Sequence, residues 1–328
     1  MEYRRLGTCG LKISRLVLGC GNFGGIGSAP AFYGLGESEA DAFALMDRAW
    51  DAGINVFDTA DAYGGGRSEA FIGRWLKEKG ARVRDQLVVS SKVFNPVGDG
   101  PNDRGLSRRH ILGQIDASLR RLQTDRLDMY LIHEPDPETR LDETLRALDD
   151  VVRTGKVSYI GASNIEAWRL ARALWISDTH DLSRFEWVQN SYSLLDRSPE
   201  RDVFPLCADQ GLGFTAFSPL AGGWLTGKYR SGSPYPAGSR MTLRPEAYQH
   251  LENDATFHAL AALADEARSR GIEMSTLALA WVLHHPLMTA AIIGPRRPAQ
   301  MDAALAALTV ELSAKDADGL QRLLPGAA

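Results

Sequence analysis

The chain has 328 residues, 44% of them hydrophobic and 24% charged, with a net charge of −4. This composition is that of a globular protein long enough to bury a core without staples, and no long basic run suggests a nucleic-acid partner. Cys9, Cys20 and Cys207 are too few and too scattered for a disulfide framework or a metal motif. No uncharged apolar run approaches the ~20 residues that span a membrane.

In chain order, apolar and amphipathic runs alternate. The opening MEYRRLG lacks the apolar stretch of a signal peptide, so the cytoplasm is the expected compartment. YRRLGTCGLKIS reads as a hairpin turning at TCG, placed to plug one end of a barrel. RLVLGCG (15–21) reads as a strand and SEADAFALMDRAWDAG (38–53) as a helix, with Ala42, Leu45, Met46 and Ala49 at helical spacing and Gly53 closing it. NVFDT is the next strand, 68–80 a helix, 86–93 a strand and 107–122 a helix. Strand 127–135, helix 141–155 and strand 157–164 follow, then a helix from Glu166. Strands 187–193 and 213–220 flank another helix. The helix TLALAWVLHH precedes the eighth strand, 289–294, and further helices start near Pro298 and cover 311–324. The chain ends in LLPGAA, which offers little tail to close a pocket.

Eight strand–helix units without a composition shift imply a parallel sheet with crossover helices, expected as one domain over residues 1–328. A closed (β/α)8 barrel fits that number and length, and a doubly wound sheet is the alternative. Two loops are unusually long, 24–37 after the first barrel strand and 221–241 after the seventh. Both follow strand C-termini, where a barrel keeps its site.

The first strand ends in Gly19-Cys20-Gly21-Asn22-Phe23-Gly24, a G-x-G-x-x-G. Its Rossmann context is missing, because a Gly/Pro loop follows instead of a helix. The next strand ends are more telling: they deliver Asp58 and Tyr63, Lys92, and His133. Each has an ordinary structural alternative; Lys92, for example, could pair with Glu69 at the surface. Together on three neighbouring strand ends they suit proton donation to a developing alkoxide. A lysine ~4 Å from a phenol, at an effective dielectric of ~20, stabilises the phenolate by about 4 kcal/mol. That would bring Tyr63 toward the neutral range where a general acid works best. Asp58 would hold Lys92 charged, and a neutral His133 would donate a hydrogen bond to the substrate oxygen.

Asp58, Tyr63, Lys92 and His133 resemble the Asp–Tyr–Lys–His tetrad of the aldo-keto reductases. FDTADAYGGGRSE, SSKV, LDMYLIHEPD, GKVSYIGASN, VQNSYSLLDR, FSPLAGGWLTGKY and IIGPRRPAQ extend the likeness, in order, over nearly the whole chain. Bacterial members acting on sugars and xenobiotic carbonyls look most similar, and RGLSRRHI (104–111) resembles the potassium-channel β subunits. The resemblance implies NADPH laid across the barrel mouth, with NADH as the alternative cofactor. Ser163, Asn164 and Gln189 would hold the nicotinamide carboxamide, and Phe217 would stack on its ring. Ser218, Pro219, Leu220 and Gly222 would line the pyrophosphate, with Lys228 and Arg240 reaching over. Asn22 and Phe23 would lie near the nicotinamide and substrate. Gly294, Arg296 and Gln300 would serve the adenosine end, where the guanidinium and a helix N-terminus would meet the 2′-phosphate. Ala303 and Ala304 depart from the acid and asparagine usual near the adenine.

The resemblance implies a small carbonyl or alcohol substrate; no metal is expected, and charge and hydropathy give no reason to expect a nucleic-acid or membrane partner. Phe32, Tyr33 and Trp224, with the polar loop Asn95, Asp99, Asn102 and Asp103, would suit a sugar-like carbonyl or an aromatic aldehyde. A glycosidase reading of Glu134 lacks a second carboxylate across the cleft, and strand alternation should turn Glu134 away from a mouth that His133 faces. A cofactor-loaded regulatory subunit is the other rival. Oligomeric state is not legible.

Overall fold

The computed structural model describes residues 1–324; Pro325–Ala328, part of the LLPGAA end, lie outside them. Two short strands, β1 (Tyr3–Arg5) and β2 (Lys12–Ser14), open the chain as an antiparallel hairpin. Eight parallel strands then close into a barrel: β3 (Leu16–Gly19), β4 (Val56–Asp58), β5 (Val88–Val93), β6 (Leu127–Ile132), β7 (Val157–Ser163), β8 (Phe185–Ser191), β9 (Gly213–Phe217) and β10 (Ala290–Ile293). β10 closes on β3, Ala291 opposite Leu16 and Ile293 opposite Leu18. The barrel expected from the alternation is therefore present, and the doubly wound alternative is excluded.

The helices are α1 (Glu39–Asp51), α2 (Arg67–Lys79), α3 (Ala81–Gln86), α4 (Arg108–Leu122), α5 (Leu141–Arg153), α6 (Ala167–His180), α7 (Val203–Gln210), α8 (Arg240–Leu243), α9 (Asp254–Ser269), α10 (Met274–His284), α11 (Gln300–Ala307) and α12 (Ala314–Leu323). Local chemistry explains their starts. Ser38 and Asp41 form a capping box on α1, each side chain accepting from the other's backbone N–H. α10 is buried on every face, as an all-round apolar helix must be. The alternation does not announce α8 and α9, which lie between β9 and α10.

β5 is buried at all six positions, covered on both faces like the strands of any parallel barrel. One core cluster fills the barrel's closed end: Val17, Val56, Val88, Met129, Leu131, Trp187, Ala290 and Ile292, joined by Leu6 and Ile13 of the hairpin region. The hairpin thus plugs the barrel. Gly161 makes room for this packing, since a Cβ there would lie 2.7 Å from the Trp187 ring. The opposite end, at the strand C-termini, stays polar and open. No helix of the described residues is long and apolar enough to cross a membrane.

Candidate active site

β4 ends at Asp58, and the chain turns through Tyr63–Gly66 into α2. Gly64, Gly65 and Gly66 all have positive φ, which glycine adopts without strain. A side chain at Gly64 would also strike the Phe23 carbonyl at 2.7 Å. The triple glycine therefore lets the strand bend at once into the helix while Tyr63 stays at the mouth.

Lys92 is 1% exposed and Asp58 5%. Lys92 Nζ donates to Asp58 Oδ2 at 2.5 Å and to the Thr59 carbonyl at 2.9 Å. Asp58 also accepts from Ser90 Oγ at 2.9 Å and from Gln189 Nε2 at 3.1 Å. A buried pair survives only when its remaining lone pairs are satisfied, and these partners do so. Burial works to lower the Lys92 pKa, yet Asp58 and Tyr63 outweigh it and the net direction is upward, so the ammonium stays charged.

Lys92 Nζ lies 5.1 Å from the Tyr63 ring centroid. The phenol is nevertheless not acidified: burial raises its pKa, Lys92 opposes this, and Asp58 adds to it. In the protein alone, burial outweighs the lysine and the net direction is upward. Desolvation of the phenolate is large, and the nearby carboxylate cancels much of the lysine's field.

Tyr63 Oη stands 3.4 Å from His133 Nε2. On the other side of the ring, the Asn95 amide nitrogen lies 2.9 Å from Nδ1. With that amide donating to Nδ1, the imidazole proton sits on Nε2 and points at the phenol. Burial and the Lys92 charge push the His133 pKa down to about 3, so the ring is neutral near pH 7. Asn95 is a site residue whose role only the fold exposes.

A cavity of about 660 Å³ opens over these groups, lined by Gly21, Asn22, Ser28, Tyr63, Asn95, His133, Glu134, Asn164, Arg240 and Arg244 among others. Glu134 lines it beside His133, contrary to the alternation argument, because β6 stops at Ile132 and both residues belong to the following turn. It is the one carboxylate in the lining, so a glycosidase still lacks its partner. Phe23 and Trp224 do not reach the cavity. They are 1% and 0% exposed and belong to the core, as their apolar surface favours. Phe32, Tyr33 and the acids of the 95–106 loop are also absent from the lining.

The expected cofactor residues ring the same mouth. Ser163 Oγ donates to the Gln189 carbonyl at 2.7 Å, and Asn164 Nδ2 to the His133 carbonyl at 2.9 Å. Phe217 is half-buried at the end of β9. After it, Ser218, Ala221, Gly222 and Gly223 take positive φ. Such turns point successive N–H groups into one concavity and suit an anion. Tyr248, which the sequence did not single out, covers this turn: its hydroxyl meets Ser218 Oγ at 2.8 Å, and a side chain at Gly222 would strike its ring. Pro219 is buried and Leu220 half-buried beside it. Among the described residues Lys228 and Arg240 have no carboxylate partner, and burial, neighbouring arginines and, for Lys228, Arg240 itself lower both pKa values. These cations and the turn fit a dinucleotide's phosphates.

At the adenosine end, Arg296 and Gln300 make contacts within the chain. Arg296 Nε donates to Glu37 at 2.6 Å and Nη1 to the Gly238 carbonyl at 2.8 Å. Gln300 Oε1 accepts from the backbone N–H groups of Arg296 and Arg297 at 2.7 and 3.2 Å. Arg296 is thus tethered by two contacts while its side chain stays 40% exposed at the surface. A side chain at Gly294 would meet nothing within 4 Å, so that position is open. Ala304 is buried in the core.

Behind Tyr63 lies a buried polar cluster that the sequence did not reveal. Glu69 is fully buried, accepts from Ser91 Oγ at 2.5 Å and pairs with Arg121 at 2.6 Å. Lys92 therefore pairs with Asp58 and not with Glu69. Asp61 is 1% exposed with neither oxygen hydrogen-bonded, and burial raises its pKa well above the carboxylate range.

Residues 15–325 match the sequence profile of the aldo/keto reductase family. An oxidoreductase from Bacillus subtilis named YrpG, described as uncharacterized, is 39% identical across 99% of this chain and 97% of its own. Versiconal hemiacetal acetate reductase from Aspergillus parasiticus is 35% identical across 98% and 96%. A probable voltage-gated potassium channel subunit beta from Oryza sativa is 36% identical across 94% and 92%. With the barrel and this match along almost its whole length, the chain belongs to the aldo/keto reductase family and is an oxidoreductase of that family.

Proposed function

We propose that the chain is an NADPH-dependent aldehyde or ketone reductase, with NADH as the weaker alternative, acting as a single-domain cytoplasmic enzyme. The observation that carries this reading is the Tyr63 hydroxyl 3.4 Å from His133 Nε2, above the buried Asp58–Lys92 pair and open to the cavity. When bound at this mouth, NAD(P)H would supply the hydride that the carbonyl carbon needs. Tyr63 gives its proton to the carbonyl oxygen. The phenol holds that proton at neutral pH, and the Lys92 charge favours its release. His133 Nε2–H orients the oxygen by a hydrogen bond. Lys92, held charged by Asp58, stabilises the phenolate left behind. Ser163, Asn164 and Gln189 would hold the nicotinamide; Phe217 would stack on it; Lys228 and Arg240 would hold the pyrophosphate. The same groups serve alcohol oxidation in reverse.

The test is Tyr63→Phe. Loss of a general acid lowers kcat/KM ~10²–10⁴-fold, while NADPH binding, read by fluorescence titration, stays within a few-fold. Unchanged carbonyl turnover would refute the assignment. The likeness to potassium channel β subunits supports a second reading, a cofactor-loaded regulatory subunit. Tight NADPH binding without turnover of any carbonyl by the wild-type protein would favour it.

A further inference from the structure

The cavity wall is polar in an uneven way. β3 and β9 flank β10 on one side of the barrel, and β6 lies diametrically across. The β6 side supplies Glu134. The opposite side supplies Arg240 and Arg244, both lining the cavity. Arg240 has a place in the reading above, with the cofactor phosphates. Arg244 does not.

Arg244 follows α8 and leans on the loop after β3. Its Nη1 lies 3.5 Å from the Ile26 carbonyl, a long and weak contact, and its Cζ lies 5.4 Å from the Phe32 ring centroid. It has no carboxylate partner among the described residues. A guanidinium carries five N–H donors in a planar fork, and here the remaining donors are unclaimed. The loop it touches joins the catalytic turn directly, since Gly64 N–H donates to the Gly27 carbonyl at 3.0 Å and Arg244 Nη1 lies where a Gly27 side chain would project. The fork therefore lines the same cavity as Tyr63 and His133, held by a ring face and one backbone oxygen, with no carboxylate partner among the described residues.

We propose that Arg244 forms a subsite for an anionic group on the substrate, so that the preferred carbonyl carries a carboxylate or phosphate. A planar fork matches either anion bidentately. The remaining lining near the tetrad, Asn22, Ser28, Asn95 and Asn164, suits the polar body of such a molecule better than an aromatic one. This inference rests on the carbonyl-reductase reading and names its substrate class.

The experiment compares matched pairs with NADPH: succinic semialdehyde against its methyl ester, and glyceraldehyde 3-phosphate against glyceraldehyde. Wild-type enzyme is expected to favour the charged member of at least one pair, and the pair favoured separates carboxylate from phosphate. In Arg244→Ala the charged-to-neutral ratio of kcat/KM should fall ~10–100-fold, the range expected for a charge-assisted hydrogen bond, mainly through KM. Arg244→Lys, which keeps the charge but not the fork and is less disruptive to the loop, should recover part of it. A wild-type preference for the neutral members would overturn the proposal. So would equal losses for both members in Arg244→Ala accompanied by weaker NADPH binding, which would assign the residue to the cofactor or to loop packing. Wild-type enzyme that reduces other carbonyls but no member of either pair would likewise overturn the proposal, whereas one that reduces no carbonyl at all would overturn the reductase reading itself.

Discussion

The two sides of the barrel mouth handle charge in opposite ways. On the β4–β6 side, the buried charges apart from the carboxyl of Asp61 find partners within the chain. Lys92 is held by Asp58, and Arg121 by Glu69, with Ser90, Ser91 and Gln189 satisfying the carboxylates further. On the β9–β10 side, Lys228, Arg240 and Arg244 have no such partners among the described residues, and the backbone after β9 bends through positive φ angles. Leaving a partly buried cation unpaired costs stability unless something else meets it. The first side is a finished machine for positioning one proton; the second is completed by its ligands.

The sharpest way to break this contrast is Lys92→Met. It removes the cation beside Tyr63, for which a ~10²–10³-fold loss of kcat is expected. It also strands Asp58 as a buried unpaired carboxylate, which costs about 3–5 kcal/mol by denaturant unfolding. The double variant Asp58→Asn/Lys92→Met should regain most of that stability and none of the activity. If the double variant were as unstable as the single, the pair would not be the self-contained unit described here.

Arg240→Ala tests the other side. Its unpaired guanidinium should matter little to folding and much to the cofactor. NADPH Kd is expected to rise ~10–100-fold, with the unfolding midpoint of the free protein unchanged or slightly raised. A marked loss of stability without a change in Kd would move Arg240 into the paired class.

A pH series sharpens the picture at His133. Its folded pKa near 3 lies below the ordinary 6.5, so the unfolded chain takes up this proton first as pH falls. The stability linked to His133 is therefore complete above about pH 6.5 and is lost as pH falls toward 3. His133→Gln should flatten the thermal midpoint profile across that window. An identical profile would show that the histidine is not held neutral.

The smallest effect is expected at Asp61. Its carboxyl has a raised pKa, so it favours the fold below its ordinary pKa and loses that contribution as pH rises through the folded value. Asp61→Asn, nearly the same shape, should leave stability unchanged in mild acid and gain relative to wild type in alkali. A loss at every pH would mean that an ionised Asp61 is needed.

Periodicity and strand-end chemistry made much of this legible. Apolar runs of strand length separated by amphipathic helices can bury their faces in few ways, so eight such units read as a barrel. Asp58, Tyr63, Lys92 and His133 stood out because ionisable groups directly follow apolar strands. Less of the outer site was legible. The segment carrying α8 and α9 has no strand-end anchor to mark its place. Arg244 and Tyr248 sit in that segment, and Asn95 in a loop whose other polar residues do not line the cavity.

What the sequence determined by itself is the alternation, the tetrad and the glycines that turn β4 into its helix, because these depend on local spacing and backbone freedom. Only the tertiary structure decided how each charge is balanced. It buried the Tyr63 phenol beside Lys92, engaged Arg296 with Glu37, brought Glu134 into the cavity lining and left Arg244 without a carboxylate partner among the described residues. Burial and through-space partners set these outcomes. Both arise between residues far apart in the chain, where no local pattern records them.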